Sequence, residues 1–171
     1  MGSVRKLVEL STNVAILLVC ALLCWSYLMR GSVKFGASAA GEAHLKGVTL
    51  PTLPNYRWGN HTESLVLALR IGCHYCEASM PFYKRLDELA KSNKLSPHML
   101  VVMPDNQELG TRLLQSNGLK VEAVFSQPLN SIDITGTPTL LLVDAKGRIE
   151  QAWIGQLPPK GEDEVIASTR Q

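Results

Sequence analysis

The stretch Ile71-Gly72-Cys73-His74-Tyr75-Cys76-Glu77-Ala78-Ser79-Met80-Pro81 decides the fold of this chain. It holds a Cys-x-x-Cys pair between a continuous apolar run at residues 64–69, typical of a buried strand, and a helical pattern at residues 77–91. At the start of a helix, unpaired backbone N–H groups and the helix dipole would favour a thiolate on Cys73. A thiolate is the attacking species in disulfide exchange, and Cys76 would lie one turn later on the same face. The stretch therefore predicts a redox-active cysteine pair between a strand and a helix.

A second motif, Thr135-Gly136-Thr137-Pro138-Thr139, stands directly before the strongest strand pattern, residues 139–143. A proline at the start of a strand often marks a turn, and its peptide bond can be cis. The turn residues 144–147 then lead into another strand pattern at residues 148–154. These two patterns predict a hairpin of antiparallel strands.

The remaining patterns alternate between strands and helices, which predicts an α/β fold. A strand–helix–strand unit implies two parallel strands with a right-handed crossover, and the hairpin adds antiparallel strands, so we expect a mixed central sheet with helices packed on it. Pro81 is expected to kink the first helix, and Asp105 to cap the second. The predicted elements are an approach segment or edge strand at 48–53, strands at 64–69, 99–103, 121–125, 139–143 and 148–154, and helices at 77–91, 105–116 and 163–169.

A zinc site can use the same cysteine spacing, but a structural zinc site needs four ligands. Outside the pair there are two further cysteines, Cys20 and Cys24, and they stand in an apolar segment near the N-terminus. The histidines His44, His61 and His98 are scattered along the sequence, and we expect no ligand pair among them. The pattern therefore favours redox chemistry without a metal or another cofactor.

The N-terminal segment is apolar enough to suggest a membrane anchor. Residues 14–29 carry no charge, and extending them back to Leu10 approaches the ~20 residues that a transmembrane helix needs. We interpret residues 10–29 as an uncleaved signal anchor. A cleaved signal peptide is the alternative, because Ala37-Ser38-Ala39 has the small-x-small form of a cleavage site.

The anchor implies three segments: residues 1–30 with the anchor, residues 31–47 as a flexible tether rich in Gly, Ala and Ser, and residues 48–171 as the folded domain. Cys20 and Cys24 would lie on one face of the anchor helix. A membrane-embedded thiol relay is one interpretation of them. Two small apolar fillers are the favoured one, because free cysteine behaves as a small hydrophobe.

Composition bounds the class of protein. The chain has 171 residues, 46% of them hydrophobic and 19% charged, as expected for one globular domain plus an appendage. The formal net charge is only +2, with no long basic run, so we expect no nucleic-acid partner.

These motifs resemble the thioredoxin-like superfamily, whose cis-proline loop lies beside the Cys-x-x-Cys motif and carries Gly-x-Pro-Thr, as Gly136-Thr137-Pro138-Thr139 does here. Within it, the chain looks most like the membrane-anchored, extracytoplasmic thiol–disulfide oxidoreductases of the cytochrome c maturation and redoxin-type branch. Met80-Pro81, the run Leu-Val-Asp-Ala-Lys-Gly-Arg-Ile at 142–149 and Trp153-Ile154-Gly155 carry that likeness. The resemblance covers residues 48–167 and implies a three-layer thioredoxin-like sandwich preceded by one transmembrane helix.

The resemblance also implies roles for individual residues. Cys73 would be the nucleophile and Cys76 the resolving thiol. Pro138 would be cis, and the backbone of Thr137 would pair with an extended substrate peptide as an added strand. The implied partners are protein thiol or disulfide substrates and a membrane-bound or extracytoplasmic redox partner. The implied location is the cell membrane, crossed once, with the C-terminal domain in a periplasm.

His74 and Tyr75 lie between the cysteines, where residues tune the redox potential by changing the stability of the thiolate. A protonated His74 near Cys73 would make the disulfide more oxidising. The alternative is that both residues only cover the rim of the site, and for His74 the sequence favours neither interpretation over the other.

Three positions depart from the pattern of relatives. Gly72 stands where an aromatic residue is common, while Leu67 and Ser79 stand where relatives carry acids that help to deprotonate the resolving cysteine. The absence of the two acids argues against a dedicated reductase. Two other functions remain open at this point: a copper carrier that holds Cu(I) between Cys73 and Cys76, and a binding module whose disulfide is only structural.

Overall fold

The computed structural model describes residues 16–22, 43–95 and 97–170. The chain divides into two compact units, Met1–Lys34 and Phe35–Gln171. In the first unit the described residues are helical and exposed, Cys20 among them. Within the described ranges, no helix is both long enough and apolar enough to cross a membrane. Most of the predicted anchor, Cys24 included, and most of the tether lie outside the described residues, so the anchor and the segment boundaries stay predictions.

The second unit is built around a five-stranded sheet. Its strands are β1 (Glu63–Ala68), β2 (His98–Met103), β3 (Ala123–Ser126), β4 (Thr139–Asp144) and β5 (Ile149–Ile154). Their order across the sheet is β3-β2-β1-β4-β5. β2 is parallel to both β1 and β3, whereas β4 is antiparallel to both β1 and β5. The predicted mixed sheet and its C-terminal hairpin are therefore confirmed.

The central strands are buried on both faces, as their continuous apolar sequences require. In β1, the side chains from Ser64 to Ala68 are at most 1% exposed. Because successive side chains of a strand point to opposite faces, Leu65 and Leu67 enter one core while Val66 and Ala68 enter another. We call these the first core and the second core.

Four helices follow the strands: α1 (His74–Ala78), α2 (Met80–Lys91), α3 (Gln107–Ser116) and α4 (Pro159–Thr169). The single helix predicted at residues 77–91 is in fact α1 and α2, which meet at Ser79. Pro81 lies in the first turn of α2, where a missing backbone N–H costs nothing. The expected kink is therefore a break between two helices.

The N-cap of α3 is Asn106, not Asp105 as predicted from the sequence. The side-chain oxygen of Asn106 accepts the backbone N–H groups of Glu108 and Leu109 at 2.9 and 3.3 Å. Asp105, one residue earlier, makes a different contact that belongs to the cysteine loop. Both residue types cap helices well, so the sequence alone did not distinguish them.

The four helices contribute to the first core, and irregular chain covers the second core. Apolar side chains of residues 45–58 and of the 3₁₀ turn Leu129–Ile132 fill that side of the sheet. Thr49 forms an isolated bridge with Arg148 at the start of β5, so the predicted approach segment lies along the edge of the sheet. Three layers are present, and the chain described on this side includes a short helical turn at residues 43–45, whose Leu45 enters the second core.

Gly147, in the turn of the hairpin, combines a positive φ of +79° with a tight contact. A Cβ added there would lie 2.7 Å from Cδ1 of the buried Trp58. We expect Gly147→Ala to lower the free energy of unfolding by about 2–4 kcal/mol, since left-handed strain and overpacking add. Urea unfolding measures the change. The matched control is Gly47→Ala, because Gly47 has a φ of +86° but nothing within 4 Å of an added Cβ. Equal losses in the two variants would contradict the contact with Trp58.

Candidate active site

Cys73 and Cys76 form a disulfide just beyond the C-terminal end of β1, with Cα atoms 5.2 Å apart. Gly72 has a φ of +71°, in the left-handed region that glycine adopts without strain. It turns the chain so that Cys73, in an extended conformation, becomes the N-cap of α1. The predicted position of Cys73 at a helix start is therefore observed, and the turn explains why a glycine stands at residue 72.

The sulfur of Cys73 lies among polar groups from two segments. The backbone N–H of Cys76 donates to Cys73 Sγ at 3.2 Å, and the Thr137 hydroxyl donates to it at 3.5 Å. The carbonyl oxygen of Thr137 lies 3.6 Å away. Hydrogen-bond donors lower the energy of a negative charge on sulfur, so this arrangement favours a thiolate at Cys73 when the disulfide is open.

The sheet explains why Thr137 reaches Cys73. In the antiparallel pair of β1 and β4, the last residue of β1, Ala68, stands opposite the first residue of β4, Thr139. The loop before β4 therefore meets the loop after β1 at the same edge. The Thr137–Pro138 peptide bond is cis, as the resemblance implies, and the Pro138 carbonyl accepts the N–H of Gly155 at 2.7 Å.

The two sulfurs differ in exposure. Cys73 is half-buried, whereas Cys76 is only 2% exposed and contributes to the first core, as Leu67 and Trp153 do. A substrate can therefore reach Cys73 far more easily than Cys76. The apolar surroundings of Cys76 also favour its thiol over its thiolate.

Neither position that carries an acid in relatives supplies a base here. Leu67 is fully buried, and the hydroxyl of Ser79 donates to the carbonyl of Tyr75 at 2.8 Å. Burial raises the pKa of the Tyr83 phenol, whose hydroxyl contacts Ser79, so this group stays protonated at neutral pH. These side chains leave Cys76 in neutral surroundings.

His74 and Tyr75 are both exposed at the rim of the site. Their rings meet edge to face, with centroids 5.6 Å apart and an interplanar angle of 66°. The contact of the His74 ring is thus with Tyr75, while the polar neighbours of the Cys73 sulfur come from Cys76 and Thr137. The redox-tuning role of His74 and Tyr75 stays a prediction.

An aspartate holds the cysteine loop from the next strand. Asp105, two residues after the end of β2, accepts the backbone N–H of Ile71 at 2.9 Å through Oδ2. The two residues are 34 positions apart and become neighbours only because β1 and β2 are parallel. The sequence carries no local signal for this contact.

An open groove of about 440 Å³ runs beside Thr137. Thr137, one of its lining residues, contacts the sulfur of Cys73, and the lining combines apolar, amide and cationic groups. Its lining residues are Arg70, Pro104, Pro128, Leu129, Asn130, Ile134, Thr135, Gly136 and Thr137. Of the predicted substrate-binding pair, Thr137 therefore lines an accessible surface, whereas Pro138 is buried.

His61 and His98 stand far apart in the sequence but side by side in the fold, so the expectation of no ligand pair among the histidines needs a direct test. The rings of His61 and His98 stack with centroids 3.6 Å apart, and each ring has a nitrogen 3.2 Å from a carboxylate oxygen of Glu122. The three residues come from distant parts of the sequence. The sheet brings them together at the ends of neighbouring strands, which sequence spacing did not reveal.

In comparisons with known proteins, no protein-family model and no curated protein sequence matches the chain. Solved structures do. A thiol:disulfide interchange protein from Bacteroides sp. is 19% identical, with a TM-score of 0.55, over 72% of this chain and 86% of that one. A thiol:disulfide interchange protein of the thioredoxin family from Chlorobium tepidum is 13% identical, with a TM-score of 0.56, over 72% and 97%.

A thiol-disulfide isomerase from Corynebacterium glutamicum is 16% identical, with a TM-score of 0.55, over 75% of this chain and 98% of that one. At such identities the likeness is one of fold. Together with the five-stranded mixed sheet, it confirms the predicted thioredoxin-like α/β fold.

Loss of the Thr137 hydroxyl is expected to make the thiolate of Cys73 less stable relative to its thiol. In the reduced protein, Thr137→Val should slow alkylation of Cys73 by iodoacetamide at neutral pH by about 3-fold to 10-fold, since one hydrogen bond contributes about 0.5–1.5 kcal/mol. Mass spectrometry of the Cys73 peptide measures the rate. Thr137→Ser keeps the hydroxyl and should react almost as the parent does, as should Thr135→Val on the exposed side of the loop. A Thr137→Ser variant as slow as Thr137→Val would contradict the role of this hydroxyl.

Proposed function

We propose that the chain is a thiol–disulfide oxidoreductase that exchanges disulfides with protein substrates through Cys73 and Cys76. The observation that carries this proposal is the half-buried sulfur of Cys73, which accepts hydrogen bonds from the Cys76 N–H and the Thr137 hydroxyl. A disulfide that serves only to brace the fold has no need of donors aimed at one of its sulfurs. Fold neighbours that are themselves named as thiol:disulfide interchange proteins support the same reaction.

The cysteine pair is oxidised in the structure, and this disulfide form is the one that would oxidise a substrate. A substrate thiolate attacks Cys73 Sγ, the Cys73–Cys76 bond breaks, and Cys76 leaves as a thiolate that takes up a proton. The second thiolate of the substrate then attacks the substrate sulfur that is bonded to Cys73. The bond to Cys73 breaks, and Cys73 leaves as a thiolate. The substrate dithiol loses two electrons and two protons. The cysteine pair gains both electrons and one proton, on Cys76, and the second proton goes to solvent while Cys73 stays a thiolate.

The reverse sequence reduces a substrate disulfide. The Cys73 thiolate attacks a substrate sulfur and releases a substrate thiol, and Cys76 then attacks Cys73 Sγ to free the second thiol. The difference in exposure supports these proposed roles, because the buried Cys76 can reach Cys73 but not a bulky partner.

The substrate we propose is an extended segment of a protein. Such a segment would lie along the groove beside Thr137 and pair with its backbone as an added strand. The exposed side chains of Ile71 and Tyr75, near Cys73 in the sequence, would offer apolar contacts. Recognition would then depend on backbone and apolar contacts more than on one particular side chain.

We further propose that the domain lies outside the cytoplasm, in a periplasm, anchored by residues 10–29. The apolar run and its length support the anchor. Disulfide exchange with protein substrates fits an oxidising compartment. A redox partner in the membrane or outside the cytoplasm would return the cysteine pair to its working state.

Single cysteine variants separate the two roles. Cys73→Ser is expected to abolish turnover of a disulfide-bonded protein substrate, because the accessible nucleophile is lost. Cys76→Ser should instead accumulate mixed disulfides on Cys73, because the resolving thiol is lost. Non-reducing gels and mass spectrometry measure the adducts. Cys20→Ser is the control, since Cys20 lies in the other unit, and should behave as the parent. Full turnover by Cys73→Ser would refute the mechanism.

Reporter fusions test the location. Alkaline phosphatase joined after Gln171 should be active in a bacterial host, because that enzyme needs disulfides that form outside the cytoplasm. β-Galactosidase at the same point should be inactive. Removing residues 1–30 should reverse both results. Active β-galactosidase on the full-length chain would place the domain in the cytoplasm and overturn the proposed location.

A further inference from the structure

A histidine–glutamate cluster lies at the end of the sheet opposite the cysteines. β1, β2 and β3 are parallel neighbours, so their N-terminal ends meet at one edge. His61 stands two residues before β1, His98 is the first residue of β2, and Glu122 directly precedes β3. The cysteines follow the C-terminal end of β1, about 20 Å away along a six-residue strand.

The three side chains point their donor atoms at one another. His61 Nε2 lies 3.2 Å from Oε1 of Glu122, and His98 Nδ1 lies 3.2 Å from Oε2. One ligand atom from each residue can be chosen so that all three lie within 4.8 Å of one another. The backbone N–H of Glu122 donates to the Met99 carbonyl at 2.8 Å, which fixes the carboxylate next to β2.

We propose that His61, His98 and Glu122 bind a divalent metal ion of the zinc class. Two imidazole nitrogens and one carboxylate are a donor set that zinc uses in proteins. Metal–ligand bonds of about 2.0–2.1 Å in a tetrahedron put ligand atoms about 3.3–3.4 Å apart. Each ring nitrogen lies 3.2 Å from a different oxygen of Glu122, which is close to that spacing, and one ligand atom from each residue lies within 4.8 Å of the other two. Small side-chain rotations would bring the three atoms to the metal-bound distances.

Three protein ligands leave one coordination position open. The His61, His98 and Glu122 side chains are 21%, 51% and 36% exposed, so the cluster faces solvent on one side. A metal ion can enter from that side, and water can occupy the fourth position. The site is therefore of the exchangeable kind, not a closed structural centre.

The stacked rings hold the two imidazoles side by side, with ring centroids 3.6 Å apart. A metal ion bound there would take one nitrogen from each ring and lie next to the Glu122 carboxylate. A purely hydrogen-bonded His–Glu–His cluster is the competing explanation, and it binds no metal.

The proposed site is separate from the disulfide chemistry. It uses no sulfur, and it joins the starts of three parallel strands, whereas the cysteine loop follows the opposite end of β1. A metal bound only by the folded chain shifts the folding equilibrium toward the native state. The ion would therefore stabilise the sheet whether Cys73 and Cys76 are oxidised or reduced.

Calorimetric titration with Zn²⁺ alone tests the proposal on the full chain. Cys73 and Cys76 are kept as the disulfide, and Cys20 and Cys24 are alkylated, so that no thiolate competes for the ion. We expect one ion per chain and a rise in the melting temperature on addition of Zn²⁺. His98→Ala and Glu122→Gln should each weaken binding at least about 10-fold, because even residues behind a metal ligand cost that much when changed.

The control is His44→Ala, a histidine that is exposed but lies outside the cluster. It should bind Zn²⁺ as the parent does. Melting curves without metal show whether the variants are folded, and Glu122→Gln keeps the shape of the side chain. Stoichiometric binding that His98→Ala and Glu122→Gln leave unchanged would overturn the proposal. So would an absence of binding, which would leave a hydrogen-bonded cluster.

Discussion

The antiparallel pairing of β1 with β4 is the constraint on which the candidate active site depends. It sets Ala68 opposite Thr139, so the loop that follows one strand meets the loop that precedes the other. Cys73 and Thr137 are 64 positions apart in the chain, yet they come into contact because of this register. The two strands are nearly fully buried on both faces. A slip by one residue would therefore move the side chains of the first core into the second core and those of the second into the first. The packing of the core therefore fixes the register that places Thr137 next to Cys73.

The two sulfurs of the site have different surroundings. Cys73 receives donors from the Cys76 N–H and from Thr137, whereas Cys76 is buried among apolar side chains. Exchange in either direction passes through Cys76 as a thiolate. With Leu67 and Ser79 in the places where relatives carry acids, that thiolate has neutral neighbours, and the step at Cys76 is expected to be the slower one.

The sequence was informative where the signal is local or strongly periodic. Buried strands showed as continuous apolar runs, the hairpin showed in its turn residues, and the two motifs around Cys73 and Pro138 indicated the fold. The break at Ser79 was harder to place, because a proline in a helical pattern is compatible with both a kink and a new helix start.

Contacts between distant segments could hardly be predicted from the sequence. Asp105 looked like a helix cap and instead holds the cysteine loop, and His61 and His98 looked scattered until the parallel strands brought them together with Glu122. Spacing along a chain reports which residues share a helix or a strand face. It does not report which strand ends share an edge, since that depends on strand order.

The central claim is that the disulfide between Cys73 and Cys76 works in exchange instead of bracing the fold. Its reduction potential, measured by equilibration with a series of thiol–disulfide buffers, tests that claim most directly. We predict a value between about −270 and −120 mV, the range spanned by thioredoxin and the strong oxidases of its fold. A value below about −300 mV, where structural disulfides lie, would contradict the account.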